Sequence, residues 1–172
     1  MKRAACVLIW ISIFLWTAGQ VVSAGKPEGK TVRNDIYEAS ITPIVQGRTT
    51  SCPGFILSIR NDSDQNLSIM WDRTGYLLRG EPKGGFMLSD TEFEARNSAK
   101  PPTVIPPKGK FYEMIFPGAL AYDTGKDRGW FRMPMPHGEN GIKLTLQSGD
   151  RVMTETLQVA LPEAVHTSVL GK

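Results

Sequence analysis

The sequence predicts an all-β protein, an antiparallel immunoglobulin-like β-sandwich with long irregular loops and no disulfide. Three observations predict it. Two stretches, 55–72 and 142–159, alternate apolar and polar residues with period two. Seventeen glycines and twelve prolines punctuate the chain at intervals too short for long helices. Beyond residue 24, no segment repeats apolar residues at i, i+3 and i+4.

The first 24 residues read as a secretory leader. Lys2 and Arg3 form a basic start, Ala4 to Leu15 is almost wholly apolar, and Val22-Ser23-Ala24 supplies the small residues of a cleavage site. Cleavage is expected after Ala24. The alternative is an uncleaved anchor, which would be the protein's one link to a membrane. Gln20 and the small-residue end weigh against that anchor. Cys6 precedes the apolar run, where a lipid-bearing cysteine does not belong.

Residues 25–34 are polar and broken by Gly and Pro, and read as a flexible lead-in. A single β-sandwich domain is expected over 35–161. Its first strand falls in 35–45, bent or interrupted at Pro43. Phe55, Leu57 and Ile59 then alternate with polar or smaller partners. After N-D-S-D-Q-N, Leu67, Ile69 and Trp71 do the same. An Asn/Asp/Ser cluster between two alternating runs predicts a hairpin with one buried face. Trp71 belongs in the core, where its indole N–H needs a partner.

Short strands are expected at Tyr76–Leu78, Phe86–Leu88, Lys110–Phe116 and Trp130–Met133. Ile142, Leu144 and Leu146 start a second hairpin, Ser148-Gly149-Asp150 turns it, and Val152 to Val159 returns. The stretches 89–109 and 117–129 are long and irregular. Pro101, Pro102, Pro106 and Pro107 make the first a stiff connection between sheets, or a ledge for a partner. The tail over 162–172 is poorly patterned and expected to fray.

The chain has a formal charge of +3, and losing Lys2 and Arg3 with the leader leaves +1. Such a balance gives no electrostatic reason to expect nucleic acid. Cys52 is the one cysteine left after cleavage, so no internal disulfide can form. It reads as a buried small residue.

The most suggestive chemistry lies in R-M-P-M-P-H-G-E-N-G, 132–141. Met133, Met135 and His137 are soft-metal ligand types, and copper(I) in exported proteins favours such ligands. At i, i+2 and i+4 of an extended segment all three face one side. Pro134 and Pro136 oppose them and argue for an extended approach to a strand, with Asn140-Gly141 as the turn. Glu92 and Glu94 flank Phe93. On a strand they would share a face, where two carboxylates can do acid–base work or simply meet solvent. Asp123-Thr124-Gly125 reads as a turn. His137 and His166 are the only histidines, and no G-x-S-x-G is present.

A resemblance adds to this reading. It rests on Asn61, Ser63, Ile69 and Trp71, then on Gly84-Gly85-Phe86-Met87, Arg96-Asn97, Pro101-Pro102 and Ile105-Pro106. Further along it rests on Phe111, Ile115, Pro117, Trp130, P-M-P-H-G-E-N-G-I at 134–142, and Leu144. Together these resemble a family of uncharacterised exported bacterial proteins, many of them lipoproteins. The resemblance implies a small β-rich envelope domain and no assigned activity. The cysteine that lipoprotein members carry after the apolar run is absent here, which favours a freely soluble, periplasmic or extracellular protein.

The function expected is non-enzymatic binding of another envelope protein or surface component, with no cofactor. Tyr76, Tyr122 and Trp130 are the candidate contact residues, because aromatics on loops supply interface energy. The alternative is a periplasmic copper-binding protein using Met133, Met135 and His137. A hydrolase using Glu92 and Glu94 is a third reading.

Overall fold

The computed structural model describes residues 27–46, 51–125 and 129–163. The leader over 1–24 and most of the tail lie outside them.

Two antiparallel sheets face each other across one core. Sheet I has the order β1 (Lys30–Arg33), β2 (Tyr37–Pro43), β3 (Phe55–Asn61), β9 (Lys110–Pro117), β7 (Phe86–Leu88). Sheet II is built on β12 (Gly138–Ser148), whose partner along its whole length is β13 (Arg151–Leu161). Two short strands share the other edge of β12. They are β5 (Gly75–Leu78), opposite Asn140 to Lys143, and β4 (Leu67–Ile69), opposite Leu146 and Gln147. β6 (Glu81–Pro82) extends the sheet beyond β5, and β8 (Thr103–Ile105) beyond β4. A small hairpin, β10 (Ala121–Asp123) with β11 (Trp130–Arg132), stands apart.

Alternation puts one face of each sheet into the core. Tyr37, Ala39 and Ile41 from β2, and Phe55, Leu57 and Ile59 from β3, are fully buried against Leu144, Leu146 and Leu157 of sheet II. The result is sandwich-like and all-β. Trp71 packs in this core and donates its indole N–H to Thr103 Oγ1 at 2.8 Å. Cys52 is buried there as well, and burial pushes its thiol pKa up.

Four expectations about the elements need correction. The lead-in over 25–34 contains β1, a strand that pairs with β2 from Lys30–Ile41 to Arg33–Glu38. Polar residues form it because it is an edge strand with most of its side chains in solvent.

The stretches 55–60 and 67–72 do not form a hairpin. β3 lies between β2 and β9 in sheet I, while β4 pairs with β12 and β8 in sheet II. The N-D-S-D-Q-N segment therefore carries the chain from one sheet to the other. Asn61 organises the crossing. It is fully buried, and its Nδ2 lies within bonding distance of the carbonyls of Gln65 (2.8 Å), Ile105 (3.1 Å) and Pro106 (3.0 Å). Its Oδ1 accepts from the Ser63 N–H and hydroxyl.

Asn140-Gly141 is not a turn. Both residues lie inside β12, opposite Val159 and Gln158. Gly138, at φ 98°, makes the bend instead. Asn140 is buried, and its Nδ2 donates to the carbonyls of Pro136 and Gly138 while its Oδ1 accepts from the Tyr76 hydroxyl. It thus pins the bend from within the strand. A Cβ on Gly141 would meet the Leu157 carbonyl oxygen at 2.3 Å, so this glycine permits close strand packing.

Part of the stretch 89–109, expected to be irregular, is a strand: residues 89–102 carry the chain from β7 in sheet I to β8 in sheet II, and 106–109 return it to β9 in sheet I. Among the described residues, no helix is long and apolar enough to cross a membrane.

Candidate functional site

The outer face of sheet I carries the most distinctive surface. In β9, Phe111 and Ile115 turn to the core, so Tyr112, Met114 and Phe116 turn outward. Tyr112 is 67% exposed and Met114 42% exposed, whereas Phe116 is buried. What covers Phe116 is Arg132 of β11. Its guanidinium carbon lies 3.9 Å from the Phe116 ring centre and 4.9 Å from that of Trp130.

The β10–β11 hairpin holds Arg132 there. Asp123-Thr124-Gly125 begins its turn, with the Gly125 N–H donating to Asp123 Oδ1 and the Thr124 N–H donating to the Gly129 carbonyl. Trp130 packs on Phe93 with ring centres 5.9 Å apart, and Arg132 Nη2 donates to the Ser89 carbonyl at 3.2 Å. Phe131 alternates away from them and meets Tyr122 at 5.6 Å. Tyr122, Phe131 and Met133 are 56%, 45% and 43% exposed.

Between the hairpin and the sheet runs a groove of about 460 Å³, lined by Ile44, Met114, Phe116, Trp130, Phe131 and Arg132 among others. The exposed apolar side chains are therefore contiguous, from Tyr112 and Met114 on the sheet to Phe131 and Tyr122 on the hairpin. Arg132 is the only charged residue lining this groove among the described residues, and it makes no ion pair with any of them. Its Nε is buried without an acceptor, and burial lowers its pKa.

A second cavity of about 270 Å³ lies between Trp71, Phe86 and the segment Arg96 to Lys100. Lys100 is half-buried there, and desolvation lowers its pKa. Arg96 is committed to its own turn, stacked 3.8 Å from the Phe93 ring centre and donating to the Phe93 carbonyl.

The structure sorts the sequence-based candidates. Tyr122 and Trp130 belong to the hairpin surface. Tyr76 does not. It is 1% exposed, inside the core, and burial raises its pKa to about 12. Met133, Met135 and His137 do not share one side. Met135 is buried in the core, with its N–H bonded to the Cys52 carbonyl, while Met133 and His137 are exposed. The segment 133–137 is not a strand, and the anchoring of Met135 to Cys52 breaks the simple alternation. Among the described residues, no group of three or more His, Cys, Asp or Glu is placed to hold a metal ion. Glu92 and Glu94 do not lie on a strand, because Phe93–Ala95 is a 3-10 turn; both are exposed. His166 lies outside the described residues.

Sequence reasoning missed Tyr112, Met114, Phe131 and Arg132. The signal for the first two was present in the parity of β9, where the residues opposite Phe111 and Ile115 include a Tyr and a Met.

No protein-family model matches the chain, and neither a curated protein nor a solved structure matches it.

Proposed function

We propose that the protein is an exported, non-enzymatic binding module of the bacterial envelope that docks a protein partner on the outer face of sheet I. The observation that carries this reading is the contiguous exposed surface of Tyr112, Met114, Tyr122 and Phe131 beside a groove. Contiguous apolar surface rimmed by polar residues marks interaction sites. Aromatics, Met and Arg are the residue types enriched at interfaces. A concave groove with a recessed Arg132 fits an extended protein segment better than it fits a lipid surface, which favours protruding apolar tips.

Export rests on the leader pattern from Lys2 to Ala24. The architecture is read as immunoglobulin-like in its layering, two antiparallel sheets around one core with no joining disulfide.

The test compares the exported wild-type protein with a Tyr112→Ser/Met114→Ser/Phe131→Ser variant. Each substitution is on the surface and should leave thermal stability nearly unchanged. A partner recovered with the wild-type protein is identified, purified and titrated against both. The reading predicts direct binding that weakens at least about tenfold in the variant, as loss of aromatic contacts in an interface does. Equal binding by both, or recovery of lipid alone, contradicts it.

A further inference from the structure

Resting on that docking face, we propose that Arg132 is a carboxylate receptor: the groove beside it takes an acidic side chain or a terminal carboxylate of the partner's segment, flanked by an apolar residue.

The residues around Arg132 carry this. Its guanidinium stacks on Phe116 and Trp130, which fixes its plane and leaves its edge as the side for a polar ligand. One of its five N–H donors is committed to the Ser89 carbonyl. The acid that this network reaches through Ser89 is Glu113. Its carboxylate accepts from the Ser89 hydroxyl and from the Met114 N–H, and it makes no ion pair with Arg132. No acid lines the groove among the described residues.

The cation is thus partly stripped of water and meets no counter-charge in the groove among the described residues. A planar guanidinium matches a carboxylate with two parallel hydrogen bonds. A carboxylate brings one negative charge to one cation, whereas a phosphate monoester brings about −1.5 to −2. The apolar wall of Met114, Phe131 and Ile44 selects what flanks the acid.

Three probes test the idea on the purified protein by NMR, reading the Arg132 side-chain Nε–H and the Trp130 indole N–H. N-acetyl-phenylalanine offers a terminal carboxylate. N-acetyl-aspartyl-phenylalanine amide offers a side-chain carboxylate. N-acetyl-phenylalanine amide is neutral. At least one acid should shift both signals saturably at millimolar concentration and bind at least about tenfold more tightly than the amide, as charge-assisted bidentate pairing requires. The tighter acid tells which source the groove prefers.

Arg132→Lys keeps the charge and loses the planar fork, so it should weaken the acids about tenfold and leave the amide unchanged. Met114→Ser keeps the cation and should weaken all three probes. Equal binding of acid and amide, acid binding indifferent to Arg132→Lys, or no saturable shift with any probe overturns the carboxylate site. None of these outcomes touches the docking face, which stands or falls with the triple variant above.

Discussion

Asn140 and Gly141 answer the question posed by the Met-Pro-Met-Pro-His stretch. The asparagine side chain spans Pro136, Gly138 and Tyr76, and the glycine lets β13 come close. Gly141→Ala should be among the most destabilising single changes, because the new methyl meets backbone that cannot yield. A loss of about 1–3 kcal/mol is expected in urea unfolding, on the scale of core overpacking. Gly141→Ala with wild-type stability would show that the strands are not so closely packed. Tyr76 adds a pH signature. Burial raises its pKa to about 12, against about 10 for the unfolded chain. The folded state therefore holds this proton more tightly. Stability should be level to about pH 10 and fall between about 10 and 12. Tyr37, raised still further by burial and its bond to Glu155, extends the fall. Chemical unfolding across alkaline pH measures it, and Tyr76→Phe should flatten the curve.

At the scale of elements, alternation located β3, β4, β12 and β13 but could not choose the partners of β3 and β4. A strand that buries one face is satisfied in either sheet, and N-D-S-D-Q-N can turn a hairpin or carry a crossing. The partner choice rests on Asn61, whose bonds reach the distant Ile105 and Pro106 carbonyls, contacts that no local pattern reveals. The β12–β13 hairpin was legible because a tight turn, reduced in the structure to Gly149 and Asp150, joins two long matched runs. Asn61→Ala leaves several buried groups without partners and should cost about 2–3 kcal/mol. A cost under half a kcal/mol would mean that the crossing holds without it. The burial of Met135 gives a further expectation. A Cu(I) competition titration should show no tight one-to-one site that both Met133→Leu and His137→Ala abolish, and finding such a site would restore the metal reading.

At the scale of the whole molecule, the core takes the inner faces of both sheets, and among the described residues the exposed aromatics Tyr112, Tyr122 and Phe131 gather on the outer face of sheet I and on the β10–β11 hairpin beside it. The sequence held the aromatic residues of that surface but not its position. Tyr76 and Tyr122 are the same residue type, but Tyr76 faces the core from β5 of sheet II while Tyr122 stands exposed on the separate β10–β11 hairpin. Arg132 was hidden for a related reason, since its value lies in Phe116 and Ser89, far away along the chain.

The docking face is the central claim, and photo-crosslinking in the producing cell tests it most directly. Benzoylphenylalanine is placed at Tyr112, at Phe131, and at Val152, which is 47% exposed on β13 of the other sheet. The account predicts one discrete adduct with the same protein from positions 112 and 131, and none from 152. Adducts of equal yield from all three positions, or none from any, would contradict it.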